Sequence, residues 1–149
     1  MPTQKKSRPE KPARPKPSAE DRIAEYVDSP NMIHRLRQGN MLSAAILGNY
    51  GHYRTQASLG RKEIDGNCTC PSEYVPCKHV HALRRTWNDN PDSFLDFDKF
   101  LEGLAKQSSA YLINAIEQIA LRWPAALSVL GVPGFEEVSD RETDDYYYE

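Results

Sequence analysis

The stretch that decides the fold is residues 68–79, Cys68-Thr-Cys70-Pro-Ser-Glu-Tyr-Val-Pro-Cys77-Lys-His79, which follows the pattern C-x-C-x6-C-x-H. Zinc prefers thiolate and imidazole ligands, and four of them complete its tetrahedral coordination. All three cysteines of the chain lie in this stretch. An odd, clustered set of cysteines favours a metal site over a disulfide framework. The sequence therefore predicts one structural zinc ion, because a closed tetrahedron leaves no position for a reacting water.

The fourth ligand is either of two histidines. In a regular helix Cys77 and His81, four residues apart, would share a face. His79 fits instead if Cys77 lies just before the helix begins. Spacing alone gives His79 only a modest preference.

Around this cluster the pattern predicts a small α+β module over residues 41–90. The apolar run 41–47, the turn signal Gly48-Asn-Tyr-Gly51 and the alternating segment 52–59 indicate a β-hairpin. Residues 63–67 indicate a third short strand or an extended arm that leads into the first cysteine. After Cys77, a helix is predicted by the i, i+3, i+7 spacing of Val80, Leu83 and Trp87.

Residues 19–40 are predicted to be an N-terminal helical segment. Ser18 and Asp21 resemble a capping box, and Ile23, Tyr26 and Val27 form an apolar stripe that ends near Pro30. Further helical turns are predicted from Met32, Ile33 and Leu36, with Gly39 as the C-cap.

Residues 91–134 are predicted to be a helical extension. One stripe is formed by Phe94, Phe97, Leu101 and Leu104, and a second by Leu112, Ala115, Ile116, Ile119 and Trp123. Ser108 and Ser109 can cap the second helix, and Pro124 ends it. A last apolar turn, 125–130, closes at Gly131. We expect the apolar side chains of both stripes to form an intramolecular core more readily than a partner surface.

The two ends of the chain are predicted to be disordered. Residues 1–18 form a basic tail rich in Pro, Lys and Arg, and residues 135–149 form an acidic tail that ends in tyrosines. The hydrophobic content of 39% agrees, since globular domains average roughly 45–50%. No secretory signal or membrane span is predicted, so we expect a cytoplasmic protein, or a nuclear one in a eukaryote, with no membrane partner.

The charge is unevenly distributed. Residues 31–87 hold eight Lys/Arg against three Asp/Glu, a net +5, whereas residues 88–149 hold four against thirteen, a net −9. Such separation is typical of a chain whose basic half faces a polyanion.

The ligand stretch resembles the SWIM zinc-finger family in its C-x-C-x6-C-x-H spacing. It also resembles the family in the residues next to the ligands, as in Cys70-Pro71 and Cys77-Lys-His79-Val80. The segment Arg35-Leu-Arg-Gln-Gly39 before the hairpin is similar to the lead-in of that family, and 94–130 is similar to helical extensions of small prokaryotic members. The resemblance covers roughly 32–87. It implies a β-hairpin-plus-helix module and chooses His79 as the fourth zinc ligand. Family members occur in chromatin-remodelling ATPases, transposases, recombination accessory proteins and a ubiquitin-linked signalling kinase, which implies DNA binding or protein–protein contact.

Two functions therefore compete, and neither is catalytic. The first is nucleic-acid binding, most naturally to DNA, with Tyr53 and Tyr74 available for stacking. The second is a protein-interaction adaptor built on the helical extension and the acidic tail; that tail can also fold back on the basic half. We expect no enzymatic activity, because the Gly48–Gly51 turn lacks a phosphate-loop pattern and zinc ligation removes the free thiolates. The candidate nucleic-acid contacts are Lys5, Lys6, Arg8, Lys11, Arg14, Lys16, Arg54, Arg61, Lys62, Lys78, Arg84 and Arg85.

Overall fold

A computed structural model describes residues 15–136 of the chain. The predictions for residues 1–14 and 137–149, which include the candidate contacts Lys5, Lys6, Arg8, Lys11 and Arg14, lie outside the described residues. The elements are α1 (Ala19–Ala24), β1 (Met32–Gln38), β2 (Met41–Gly48), β3 (Gly51–Ser58), β4 (Gly66–Cys68), α2 (Lys78–Asp89), a 3-10 turn (Pro91–Ser93), β5 (Leu95–Asp96), α3 (Phe97–Leu104), α4 (Ser109–Arg122) and a 3-10 helix (Pro124–Leu130).

These elements form two compact units, whose boundary falls between Phe100 and Leu101, inside α3. The first unit is α+β, with a five-stranded sheet in the order β4-β3-β2-β1-β5. The predicted hairpin is confirmed: β2 and β3 pair antiparallel over their whole length, with Ile46 opposite Tyr53. The strands β1 and β2 also pair antiparallel, through a two-residue turn at which Gly39 has a φ of +53°, a conformation that suits glycine.

The core of the first unit lies between one face of the sheet and α2. Side chains alternate along a strand, so β2 buries Leu42, Ala44 and Ile46 while β3 buries Tyr53, Thr55 and Ala57. The predicted helix α2 presents Val80 and Leu83 to this face, and both are fully buried. Burial of each such aliphatic side chain stabilises the fold by about 1.5–3 kcal/mol.

The helix α1 begins as predicted. The Ser18 hydroxyl accepts a hydrogen bond from the Asp21 N–H at 3.1 Å, and the Asp21 carboxylate accepts one from the Ser18 N–H at 2.9 Å. Reciprocal bonds of this kind satisfy N–H groups that have no partner inside the helix. The helix packs on α2, and Tyr26, just beyond its end, is 5% exposed. This contact places the start of the described chain beside the zinc-binding segment.

The helical turns predicted from Met32 to Gly39 are wrong, because this segment is the strand β1. Ile33 pairs with Ala45 and Leu36 pairs with Ser43, so β1 carries one extra residue between these pairs, and His34 has a φ of +53°. Such a bulge breaks the alternation of side chains along a strand. The apolar spacing of Met32 and Leu36 then imitates that of a helix. The sheet consequently starts before residue 41, where the predicted module began.

The bulge directs Arg35 towards the loop before β1. Its guanidinium donates hydrogen bonds to the Asp28 carboxylate at 2.6 Å, to Ser93 Oγ at 2.8 Å and to the Ser29 carbonyl at 3.0 Å. The bond from Arg35 lowers the pKa of the Asp28 carboxyl, and a second bond from Asn90 adds to the effect. Arg35, the first residue of the family-like lead-in, therefore ties the loop before β1 to the 3-10 turn at Ser93.

The first stripe of the helical extension is only partly helical. Phe97, Leu101 and Leu104 lie in α3, but Phe94 follows the 3-10 turn and is 8% exposed in the core of the first unit. Its ring packs edge-on against Trp87, with the ring centroids 5.3 Å apart. The residue after it, Leu95, starts β5, which pairs parallel with β1. The prediction that a helix begins at Phe94 is therefore wrong, because this segment ends the first unit.

The second unit contains the end of α3, α4 and the final 3-10 helix. The Ser108 hydroxyl caps α4 as predicted, at 3.2 Å from the Tyr111 N–H, and Gly131 ends the 3-10 helix with a φ of +74°. No residue of α4 is buried. The expectation that its apolar stripe forms a core is wrong for Ile116 and Ile119, which are 44% and 47% exposed.

No helix within residues 15–136 is long and apolar enough to cross a membrane.

Candidate metal centre

The first two cysteines are held at the edge of the sheet by β3. Cys68 is the last residue of β4 and pairs with Thr55. Beyond it, the Thr69 N–H donates to the Arg54 carbonyl at 3.0 Å, and Thr69 Oγ1 accepts a hydrogen bond from the Arg54 N–H at 2.9 Å. Thr69 therefore continues the pairing by one residue, and the two thiols on either side of it, Cys68 and Cys70, are positioned by the strand.

The second half of the cluster is built on the start of α2. Cys77 is the N-cap, with an extended backbone (φ −77°, ψ 170°), and its carbonyl accepts hydrogen bonds from the N–H groups of Val80 and His81 at 3.1 and 3.3 Å. His79 is then the second residue of the helix and faces the core, where it is 2% exposed. The extended backbone at Cys77, followed by the first turn of α2, thus brings Cys77 and His79 towards β4.

The ligand atoms of Cys68, Cys70, Cys77 and His79 all lie within 4.8 Å of one another. His79 Nδ1 is 3.6 Å from Cys68 Sγ and 3.8 Å from Cys77 Sγ. Tetrahedral zinc, with bonds of about 2.3 Å to sulfur and 2.0–2.1 Å to nitrogen, separates sulfur from nitrogen by about 3.6 Å. Three soft thiolates and one imidazole at this spacing fit one zinc ion with no open coordination position.

The structure decides between the two histidines. His79 Nδ1 faces the thiols, whereas His81 is partly exposed and lies on the wall of a neighbouring cavity. Cys77 lies just before the helix and not within it, so the helical i, i+4 relation between Cys77 and His81 does not apply. The four ligands implied by the family resemblance are therefore the ones brought together.

Two tyrosines fix the plane of the His79 ring. Tyr26 meets it edge-on with centroids 4.7 Å apart, and Tyr53 stacks on it at 5.4 Å. The Lys78 ammonium lies 4.9 Å from the centre of the Tyr26 ring. His79 Nε2 is buried and has no hydrogen-bond partner among the described residues. Packing between rings, with no second hydrogen bond, is therefore what holds the imidazole in its ligating orientation.

The thiols of Cys68 and Cys77 share a hydrogen bond that shifts their two pKa values in opposite directions. The bond from Cys68 lowers the pKa of Cys77 to about 3, and the His79 side chain and the backbone N–H groups of Val80 and His79 contribute to this shift. The same hydrogen bond, together with burial, raises the pKa of Cys68. A bound dication would supply the charge that lets all three thiols deprotonate.

The folded cations predicted to contact nucleic acid do not form one patch. Arg54 alternates along β3 with the buried Tyr53 and Thr55, so its side chain lies on the sheet face away from α2. Lys78 and Arg84, in contrast, lie on α2 itself. Arg61 and Lys62 are exposed in the connection between β3 and β4, where Arg61 pairs with Asp65 at 3.1 Å. Arg85 pairs with Glu20 of α1, and Lys16 precedes that helix. The strand alternation around Arg54 was the signal that could have separated it from the helical cations.

Of the two tyrosines predicted to stack on bases, Tyr53 is 9% exposed against His79 and serves the metal centre. Tyr74 is 81% exposed in the loop between Cys70 and Cys77. Sequence reasoning missed Tyr50, in the turn between β2 and β3, which is 90% exposed. It also missed the packing of Tyr26 against His79, which connects α1 to the site.

Comparison with known proteins agrees with this geometry. No curated protein and no solved structure shows significant similarity to the chain. Residues 53–83, however, match the family model described as the SWIM zinc finger. The matched segment runs from β3 to the middle of α2 and contains all four ligands. Residues 53–83 are therefore similar to the SWIM zinc finger, and Cys68, Cys70, Cys77 and His79 within them are placed to hold one zinc ion.

Proposed function

We propose that the chain binds nucleic acid, with DNA as the expected form, and catalyses no reaction. The observation that carries this proposal is the junction between the basic N-terminal stretch and the zinc module. Residues 5–16 contain six Lys/Arg and one Glu, and they lead directly into Pro17 and Ala19, which line an open cavity beside the zinc-binding loop. We assign the phosphate contacts to the cations of this stretch, because Lys and Arg neutralise phosphates whatever the base sequence.

Folded cations around the module support the same function. Within residues 15–136, Arg22, Arg54, Lys62 and Arg84 make no ion pair with an acidic side chain, so their charges are available to phosphates. The acidic residues are concentrated in 88–149, which carries a net −9 and would repel a polyanion. The contacts are therefore assigned to the N-terminal stretch and the zinc module. They touch phosphates more than base edges, so binding should be salt-sensitive and largely independent of sequence.

The experiment is a salt titration of the affinity of the full chain for fluorescently labelled DNA. Log Kobs falls with log salt by about 0.9 per phosphate contact on duplex and about 0.7 on single strands. Changing all six Lys/Arg of residues 5–16 to Gln should therefore flatten the slope by as much as about 5 on duplex and 4 on single strands. The matched control changes Lys99 and Lys106 to Gln and should leave the slope unaltered. Failure of the full chain to bind either form at about 50 mM salt would refute the proposal.

A second function, as a protein-interaction adaptor, is favoured by a different observation. The helix α4 leaves Ile113, Leu121 and Trp123 between 63% and 71% exposed in the described chain. Large apolar side chains that are left exposed are candidates for contact with a protein partner. A tagged full chain should then retain a partner in a lysate of its source cells, and the double substitution Ile113→Glu, Leu121→Glu should release it. Recovery of no stable partner by the unaltered chain would count against the adaptor.

A further inference from the structure

The cavity beside the zinc-binding loop has a volume of about 690 Å³ and is open to solvent. Four parts of the first unit line it: the start of the described chain with α1, the β2–β3 hairpin near its turn, the loop between Cys70 and Cys77, and the start of α2. The ligand residues Cys70 and His79 also line it, so the cavity adjoins the metal centre. Most of its lining residues are not metal ligands.

The rim of this cavity presents two tyrosines to solvent. Tyr50 is 90% exposed on one side and Tyr74 is 81% exposed in the cysteine loop. Within residues 15–136, neither ring packs against another aromatic ring. Exposed aromatic rings at the edge of a basic groove act as stacking platforms for bases, and each stacked base strengthens binding by a factor of about 5 to 150.

The charges on the wall suit a neutral ring inside and phosphates outside. Arg22 and Lys78 supply two cations, but Glu73 lies on the same wall, and three thiolates with one zinc dication leave about −1 at the adjoining centre. These charges nearly cancel, so the interior of the cavity as a whole favours neither an anion nor a cation. Immediately before Pro17, however, come the six cations of residues 5–16. A flat, uncharged group between flanking anions therefore matches the cavity and its surroundings.

We propose that this cavity receives one unpaired nucleobase of a single-stranded nucleic acid, stacked on Tyr50 and Tyr74. Its flanking phosphates contact Arg22, Lys78 and Lys16, the described end of the basic stretch. The inference rests on the proposed nucleic-acid binding and adds the form of ligand to it. A base paired within a duplex must first be extruded at a cost in free energy, whereas a single strand offers its bases directly. The chain should accordingly prefer single-stranded nucleic acid to duplex of the same sequence.

The test measures affinity by fluorescence anisotropy, using a labelled 12-base single strand and its duplex at about 100 mM salt with zinc-loaded full chain. Tyr50→Ala and Tyr74→Ala should each weaken single-strand binding by about 5- to 150-fold and leave duplex binding nearly unchanged. Tyr50→Phe and Tyr74→Phe keep the ring and should bind as the unaltered chain does. The matched control is Tyr111→Ala, since Tyr111 is also exposed (54%) but lies in the second unit. Zinc content and far-UV circular dichroism verify that each variant is folded.

The outcomes separate this inference from the function on which it rests. Absence of any binding by the full chain refutes the proposed function and the inference with it. Equal affinity for single strand and duplex, or unaltered single-strand affinity in both alanine variants, overturns the base pocket while nucleic-acid binding stands. Loss of a protein partner in those variants, with single-strand affinity intact, would assign the cavity to a peptide and also overturn the inference.

Discussion

Substitution of Gly66 tests how closely the zinc-bearing strand packs on the rest of the module. A Cβ atom at Gly66 would lie 2.1 Å from the Gln56 carbonyl oxygen and 2.8 Å from Val80 Cγ1. The first neighbour is backbone of β3 and cannot rotate away, so Gly66→Ala must displace β4. Overpacking of this kind costs about 1–3 kcal/mol, and the backbone clash places Gly66 in the upper part of that range. The smaller entropy of the unfolded alanine chain offsets about 0.4–1 kcal/mol, which leaves a net loss of about 2 kcal/mol.

The assay is thermal unfolding of the full chain with one equivalent of zinc, followed by circular dichroism. A loss of 1 kcal/mol lowers Tm by about 4–8 °C in a domain of 60–100 residues, so Gly66→Ala should melt about 8–16 °C lower. The matched control is Gly60→Ala in the same connection, where a Cβ atom would meet only Asn40 Nδ2 at 3.7 Å. That variant should melt at the same temperature or up to about 8 °C higher, because it gains the entropy term without the clash. A Gly66→Ala protein that melts within about 2 °C of the unaltered chain would refute the close packing of β4 against β3 and α2.

Three further predictions follow from the same contacts. Cys70→Ser or Cys77→Ser should abolish zinc binding and unfold residues 41–87, and a dispersed, unchanged amide spectrum would contradict this. Thr86 Oγ1 donates to the Ala82 carbonyl and accepts from the Asp28 N–H, both at 2.8 Å, so Thr86→Val should cost about 1–3 kcal/mol in chemical denaturation. Thr55 Oγ1 is buried with no partner among the described residues, and Thr55→Val should cost nothing; equal losses would contradict the assignment. Arg35 lowers the pKa of Asp28, so this pair stabilises the fold above the ordinary carboxyl pKa and loses that effect as pH falls; Arg35→Leu should flatten the acid limb of a stability–pH profile.

Much of the metal centre could be predicted from sequence because its determinants are local. The four ligands fall within twelve residues, and zinc chemistry restricts the residue types and their number. The β2–β3 hairpin and α2 were predictable for the same reason, since their apolar periods and turn residues are continuous in the chain. The choice of His79 over His81 needed one fact that spacing does not contain, namely that Cys77 caps α2 from outside it.

The misread elements depend on contacts between distant residues. A single extra residue in β1 gives Met32 and Leu36 a helical spacing, and only the register with β2 reveals the bulge. The spacing of Phe94 from Phe97 predicts a helix, yet the Phe94 ring packs against Trp87 in the core. The two-residue strand β5 is too short to carry any period. Likewise, the exposure of Ile116 is a property of what surrounds α4, which no local pattern specifies.

The most direct test of the account is the metal content and coordination of the purified full chain. Mass spectrometry under native conditions reports the number of zinc ions per chain. X-ray absorption at the zinc edge reports the type and distance of the atoms bonded to each ion. The account predicts one zinc per chain, with three sulfur atoms at about 2.3 Å and one nitrogen at about 2.0–2.1 Å. A chain that folds without zinc, or a zinc shell dominated by oxygen and nitrogen, would contradict it.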